Sequence, residues 1–201
     1  MLILQTAPEA LSGDTPFVQS VLDHLRIFAD LDAGTPVSPP DLDLIKTLID
    51  TAVSRIDGPR GTVGRCLGEQ TWMLTLDGFR CDICLVGPAI SVDLIRYKDT
   101  AGAWQTLAPA AYRLVGKTSW RPEVCPAYGT EWPEALSDRE TVEITFTAGY
   151  GDVTDIPAPI LQAVRYTVAH WYSERQIFSF ATPTEIPLTA AALLAPFKVF
   201  R

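Results

Sequence analysis

The sequence predicts an α+β protein, in which an N-terminal and a C-terminal helix pair form a helical bundle and an antiparallel β module is inserted between them. Apolar residues recur with a helical period up to about residue 58, alternate from about residue 70, and return to a helical period after residue 157. Neither amphipathic helix pair buries its apolar face alone, so the two pairs are expected to pack together. With 201 residues, 47% of them hydrophobic, the chain can supply a core.

The first helix pair is predicted in the first third of the chain. Asp14 or Thr15 can cap a helix that has Pro16 in its first turn. Ser38 followed by Asp41 resembles a capping box ahead of a second helix, which should end at Gly58 and Pro59. The apolar stripes of the two helices are Phe17, Val18, Val21, Leu22, Leu25 and Phe28, then Leu42, Ile45, Leu48, Ile49, Ala52, Val53 and Ile56.

Alternating apolar residues predict the strands of the β module. They occur around Leu74, Val92, Leu114 and Ile144. Asp77-Gly78 predicts a tight turn that returns the first of these strands as a hairpin. The proline- and tryptophan-containing segment 117–138 is predicted to be a long loop.

The second helix pair completes the predicted bundle. Pro157 and Pro159 open the third helix, whose apolar stripe contains Ile160, Val164 and Val168. A short last helix is expected up to Leu194, followed by an apolar and basic tail. The predicted parts are residues 1–66 for the N-terminal helices, 67–152 for the β module, and 153–201 for the C-terminal helices and tail.

The charge of the chain argues against a nucleic-acid-binding protein. The formal net charge is −8, and no cluster of Lys and Arg is present to neutralise phosphates. Residues 1–58 hold nine acidic and three basic side chains, a net charge of −6. An acidic surface would let a DNA duplex pass without binding it.

The sequence also gives an expectation for the compartment. No stretch reaches the roughly 20 apolar residues that span a bilayer, and residues 1–6 do not resemble a secretory signal. We therefore expect a cytosolic protein that does not contact membrane and whose four cysteines are thiols.

Those cysteines are also the weak candidates for a metal site. Cys66, Cys81, Cys84 and Cys125 are enough ligands for a four-thiolate zinc site. However, residues three apart on a strand face opposite sides, which separates Cys81 from Cys84. We expect buried thiols and no cofactor.

No catalytic constellation is recognisable. His24 and His170 are the only histidines, and neither accompanies a Gly-x-Ser-x-Gly motif or a glycine-rich phosphate loop. His170 is interpreted as a packing or inter-subunit residue, although a general base is an alternative. Asp77, Asp82 and Asp93 resemble turn and solvent-face residues.

Three tryptophans lie in or beside loops of the β module, at Trp104, Trp120 and Trp132. Aromatic side chains in loops bury large areas when proteins dock, so these residues are candidates for interfaces. The alternative interpretation is a carbohydrate- or protein-binding β module on a helical base, in which the tryptophans could stack on sugar rings.

Several segments resemble the head-to-tail connector, or adaptor, proteins of long-tailed phages. The most specific are Asp155-Ile-Pro-Ala-Pro-Ile160, Ala169-His-Trp-Tyr-Ser-Glu-Arg175 and Leu193-Leu-Ala-Pro-Phe-Lys-Val199, with support from 146–152 and from 21–27. The chain is similar in particular to the adaptors of alphaproteobacterial gene transfer agents, phage-derived particles that package host DNA.

The resemblance implies a structural role and no enzymatic activity. Such adaptors form a homo-oligomeric ring, commonly of about twelve copies, between the portal and a tail-completion or stopper protein. The ring would assemble in the bacterial cytoplasm, lie in the particle neck and let DNA pass without specific binding, while the isolated chain could be a monomer. The portal contact is expected at Pro196, Phe197, Lys198, Val199, Phe200 and Arg201. The subunit or tail interface is expected at Trp104, Trp120, Trp132, Arg165, His170 and Tyr172.

Overall fold

The fold is α+β, as predicted, with four α-helices and antiparallel sheets in the parts of the chain that the structure describes. These parts are residues 1–27, 31–32, 35–36, 41–173 and 187–199 of a computed structural model. The chain divides into two compact units. A sheet unit comprises Met1–Pro8 and Arg65–Asp152, and a helical unit comprises Glu9–Gly64 and Val153–Arg201. No helix in the described ranges is long and apolar enough to span a bilayer.

The helices and strands follow in chain order. They are β1 (Leu2–Thr6), α1 (Thr15–Leu25), β2 (Leu31–Asp32), β3 (Thr35–Pro36), α2 (Leu42–Ile56), β4 (Gln70–Leu76), β5 (Ile83–Cys84), β6 (Ala89–Lys98), β7 (Trp104–Thr106), β8 (Tyr112–Val115), β9 (Glu123–Pro126), β10 (Val142–Ala148), α3 (Ala158–Ser173) and α4 (Leu188–Leu194).

A five-stranded antiparallel sheet, in the order β1-β4-β10-β6-β7, forms most of the sheet unit. In β10 the side chains of Val142, Ile144 and Phe146 are fully buried in the core. Glu143 and Thr145 alternate with them on the opposite, partly exposed face. The predicted period-2 pattern therefore sets which face of the sheet is covered.

The N-terminal strand β1 departs from the predicted boundaries. Residues 1–66 are expected to be helical, but β1 pairs with β4, with Leu2 opposite Leu74 and Ile3 opposite Met73. Residues 1–8 therefore belong to the sheet unit. The segment is too short for an alternating pattern to stand out, and the pairing with β4 spans about 70 residues of sequence.

The hairpin expected at Asp77-Gly78 is not formed. β4 pairs with β1 and β10, and the chain continues from β4 into β5, which belongs to a second sheet. A type I′ turn requires positive φ at both central residues, and Gly78 is not among the residues with positive φ. Asp77 instead accepts a hydrogen bond from the backbone N–H of Glu140 at 3.0 Å.

The second sheet has three strands, in the order β5-β9-β8. Its strand β9 lies within the segment predicted to be a long loop, so that prediction is wrong for residues 123–126. Val124 is fully buried against the core, opposite Ile83 of β5 and Leu114 of β8. With one such residue in so short a strand, no alternation was visible in the sequence.

The helical unit contains the four predicted helices. Asp14 caps α1, since its Oδ1 accepts a hydrogen bond from the backbone N–H of Phe17 at 2.8 Å. Asp41 makes no side-chain cap bond to α2, and Ser38 lies outside the described residues. α1, α2 and α4 each contact α3. The buried residues of α1, α2 and α3 are Phe17, Val18, Val21 and Leu22, then Ile45, Ile49, Ala52 and Ile56, then Ile160, Ala163, Val164, Thr167 and Val168.

Candidate assembly surfaces

Trp104 lies on β7, one of the two edge strands of the five-stranded sheet, and is 42% exposed. It pairs with Lys98 of β6, whose Nζ lies 5.1 Å from the centre of the indole ring. The guanidinium carbon of Arg96 lies 5.2 Å from the same ring. Both are cation–π distances, so the exposed indole is held in place by two cationic side chains.

Leu94 extends this surface along β6. Leu94, Arg96 and Lys98 are every second residue of the strand, so they share the face opposite the core residue Ile95. Leu94 is 38% exposed, and Arg96 forms a salt bridge with Glu143 on the neighbouring strand. We call the surface formed by Leu94, Arg96, Lys98 and Trp104 the Trp104 patch.

The turn between β6 and β7 fixes the position of this patch. The Asp99 carboxylate accepts hydrogen bonds from the side chain of Gln105 and from the backbone N–H groups of Ala101 and Ala103, at 2.9 to 3.0 Å. These bonds, the one from Gln105 first, lower the pKa of Asp99 below its ordinary value. Gly102 has a φ of +83°, which the tight turn requires.

The other two predicted interface tryptophans differ in environment. Trp132 stacks on Phe79 with ring centres 4.8 Å apart, and its Nε1 donates to the backbone carbonyl of Arg80 at 2.7 Å. Its contacts thus lie inside the sheet unit. Trp120 is 50% exposed. Among the aromatic residues that the structure describes, Tyr128 is the most exposed, at 96%. It was not singled out from the sequence, where it carries no periodic or motif signal.

Arg165 and Tyr172 connect helices within the helical unit. The Nε of Arg165 donates to Ser20 Oγ at 3.1 Å, and its guanidinium lies 5.4 Å from the ring of Phe17. The hydroxyl of Tyr172 donates to Asp41 Oδ2 at 2.7 Å. These side chains tie α3 to α1 and to the start of α2. Their predicted role in a subunit interface stays a prediction.

His24 lies on α1 and His170 lies on α3. His170 is half-buried near the end of α3, and its backbone carbonyl accepts a bond from Ser173 Oγ at 3.0 Å. The ring of His24 makes an edge-on contact with Tyr166 of α3, with centres 5.5 Å apart. Sequence reasoning missed this contact because the two residues lie on separate helices.

The predicted portal-contacting tail begins in a 3-10 turn at Ala195–Phe197. Pro196 is exposed, while Phe197 and Lys198 are half-buried. The backbone N–H of Val199 donates to the carbonyl of Val63 at 2.9 Å. Phe200 and Arg201 lie outside the described residues.

The four cysteines do not form the four-thiolate site that their number allows. Cys66 is buried in the core of the sheet unit, whereas Cys81 is exposed. Across the described residues, the one group with metal-ligand spacing is Asp82, Glu123 and Cys125, whose ligand atoms lie within 4.8 Å of one another. This group contains a single thiol, so the sequence count of cysteines did not predict it.

Arginine already balances the charges around this group. Arg121 Nε donates to Cys84 Sγ at 3.1 Å and lies 3.7 Å from Glu123 Oε1. The bond to Cys84 raises the pKa of Arg121 further above its usual range. Burial, followed by the charges of Asp82 and Glu123, raises the pKa of the Cys125 thiol. A protonated thiol is a poor metal ligand, so this arrangement favours a hydrogen-bonded surface network.

Comparisons with known proteins bear on what these surfaces do. No family model matches the chain, and no curated protein matches it. Among solved structures, a chain in the neck of an empty gene transfer agent particle, computed with C6 symmetry, has a TM-score of 0.72 and 27% identity. The match covers 100% of this chain and 96% of that one.

Two further structures agree. A chain in the virion of a native gene transfer agent particle gives a TM-score of 0.71 at 27% identity, over 100% of this chain and 96% of that one. A chain in the neck of a native particle, computed with C12 symmetry, gives 0.66 at 25%, over 99% and 96%. Over nearly its whole length, the chain is therefore similar to neck and virion chains of gene transfer agent particles. This confirms the resemblance to gene transfer agent adaptors seen in the sequence.

Proposed function

We propose that this protein is the head-to-tail adaptor of a phage-like gene transfer agent particle, located in the neck between head and tail. The observation that carries the proposal is the end-to-end likeness to neck chains, which covers both units and nearly all of each relative. If the likeness reflected only a common fold that unrelated proteins share, we would expect it to cover one unit only. Its work would be assembly, with no bond chemistry.

The proposed assembly is a twelve-fold ring below the portal that extends the DNA channel. Solved necks containing similar chains were computed with C6 and C12 symmetry, which supports repeated copies. A closed ring needs a heterologous contact, in which each copy offers two different surfaces. Within each copy, the helical unit would act as one bundle into which the sheet unit is inserted.

The proposed contacts along the particle axis follow from the charge and the residue types of the segments involved. The tail from Pro196 to Arg201 would bind the portal, because it combines apolar residues with two basic ones. A tail-completion or stopper protein would bind on the opposite side. DNA would pass without specific binding, because each copy carries a net charge of −8.

Removing the gene from the producing cell tests the proposal. We expect DNA-filled heads and separate tails, with joined particles restored when the gene is supplied in trans, as counted by electron microscopy. Joined, complete particles without the protein would overturn the adaptor role. A variant with Lys198→Glu and Arg201→Glu tests the portal contact, and Lys117→Glu with Arg139→Glu is its control for net charge.

A carbohydrate-binding module is the alternative, and Trp120 is the residue that would support it. Two cations flank Trp104 and Trp132 stacks inside the sheet unit, which leaves Trp120 as the tryptophan best able to stack on a sugar. Glycan binding that is lost in Trp120→Ala, but kept in Trp132→Phe, would favour this alternative over the adaptor.

A further inference from the structure

We infer that the Trp104 patch docks on the outer face of α2 in a second copy of this chain and forms the contact between neighbours in the ring. The inference rests on the proposed ring and names the two surfaces that close it. One lies on the sheet unit and the other on the helical unit, so the contact is heterologous, as a closed ring requires.

The Trp104 patch has the composition of a protein interface centre. Tryptophan and arginine are the residues whose removal most often costs binding energy, and exposed apolar side chains such as Leu94 add area. The two cations already hold the indole, so docking costs little conformational entropy at this side chain. β7 is also an edge strand, and a partner that covers it protects its unpaired backbone groups.

The outer face of α2 offers short side chains and one exposed apolar residue. Its exposed residues Leu44, Thr47, Thr51 and Ser54 lie opposite the buried stripe, and Leu44 is 42% exposed. The three hydroxyls donate to carbonyls of their own helix at 2.7 to 2.9 Å. Because these donors are satisfied, an aromatic side chain can cover them without leaving a donor unpaired. Short side chains let a sheet edge approach closely.

Charge favours a second copy as the occupant. Copies that each carry −8 repel one another, and a contact between opposite charges offsets part of this repulsion. The Trp104 patch presents Arg96 and Lys98. Glu143 neutralises part of the charge of Arg96. α2 itself carries two acidic and two basic residues. At the end of the helix that holds Leu44, Asp43 is exposed and Lys46 is half-buried, while the exposed Arg55 lies at the other end. Leu44 would therefore meet Trp104 while Asp43 meets the two cations.

A photo-cross-linker placed in the patch tests this contact inside particles. Benzoylphenylalanine replaces Trp104 and, in a second variant, Thr106 of the same strand, and isotope-labelled and unlabelled copies are mixed before assembly. We expect cross-linked peptides that join the patch of one copy to residues 42–56 of another. Tyr128 carries the probe as the control and should give no cross-link to α2.

The outcomes separate this inference from the adaptor role. If the chain enters the neck but the cross-links join residues of the same copy, or reach only a portal or tail protein, the contact is overturned and the adaptor role stands. A chain that never enters the neck, with the unsubstituted protein also absent, overturns both.

Charge reversal gives an independent readout. Arg96→Glu with Lys98→Glu should lower the number of copies recovered in necks by about ten-fold, and adding Asp43→Lys should restore part of the loss. Arg113→Glu with Lys117→Glu, the same change elsewhere on the sheet unit, should have little effect. Thermal unfolding verifies that each variant folds. Normal incorporation of the Arg96 and Lys98 variant, or no rescue by Asp43→Lys, would contradict the contact.

Discussion

Asp99 holds the turn that carries Trp104, and its carboxylate has to be charged to do so. The folded-state pKa is lowered, first by the bond from Gln105. The contribution to stability is therefore present above the unfolded pKa, and it is lost as the pH falls through the folded-state pKa. The turn should loosen only in acid.

An NMR titration of the Asp99 carboxyl group checks this prediction. We expect a midpoint below the ordinary value of 3.8 and a higher midpoint in Gln105→Ala, because that variant removes the largest stabilising bond to the anion. Gln19→Ala, which removes a comparable bond to Asp23, should leave the Asp99 midpoint unchanged. A midpoint at or above 3.8 would contradict the arrangement of the turn.

Gly149 and Gly102 both have positive φ, but only one is crowded. An added Cβ at Gly149 would overlap the carbonyl of Gly68, whereas nothing lies within 4 Å at Gly102. Gly102→Ala should lower the free energy of unfolding by about 1 kcal/mol through backbone strain alone. Gly149→Ala should lower it by a further 1–3 kcal/mol or so through the clash. Urea unfolding of both variants measures the difference, and equal losses would contradict it.

Single residues show what sequence reasoning could reach. The sequence identified Trp104 as a candidate, because an aromatic residue beside a turn can be recognised from its neighbours in the sequence. It did not identify Leu94. The register of β10 against β6 shifts between Thr145 and Phe146, where Asp93 is the extra residue of a bulge. Val92 therefore lies opposite the core residue Phe146, whereas Leu94 lies opposite Thr145 on the other face. A bulge changes which residues are exposed without leaving a sequence motif.

The start of α1 gives a prediction at the level of one element. Asp14 accepts the bond from Phe17 N–H and places a negative charge at the positive end of the helix dipole. Asp14→Ala should lower the free energy of unfolding by about 1 kcal/mol. Asp23→Ala, on the exposed side near the other end of α1, should change it by less than about 0.5 kcal/mol. Denaturant unfolding compares the two variants, and similar losses would show that the cap is unimportant.

The helices could be predicted more fully than the strands, for a physical reason. A helix is stabilised by bonds and side chains within about four residues, so its caps and its stripe are local. A strand depends on partners that are distant in sequence. Thus α2 was found from its apolar stripe, while β9 was taken for a loop because its partners lie on β5 and β8.

At the scale of the molecule, each unit combines two segments that are distant along the chain, and strand pairing decides which segments belong to the sheet unit. Sequence periodicity predicts a boundary after residue 66, because the period changes from helical to alternating by about residue 70, and the second part of the sheet unit begins at Arg65. It assigned residues 1–8 to the helical part, since only the register with β4 reveals their place. The candidate interface on the sheet unit likewise depends on β6 and β7 being neighbours, which no local pattern encodes.

This placement of β1 predicts how a deletion would act. Removing residues 2–7 uncovers the backbone of β4 along its edge and takes Leu2 from the core. Amide hydrogen exchange measured by mass spectrometry should therefore speed up in β4 and β10 by about ten-fold or more, while α2 and α3 keep their protection. The control is Gln5→Ala, which changes an exposed side chain of β1 and keeps the pairing of β1 with β4. The amides of this variant should exchange like those of the parent chain. Equal loss of protection in the helices would mean that β1 supports both units, in which case the N-terminal segment is not a strand of the sheet unit alone.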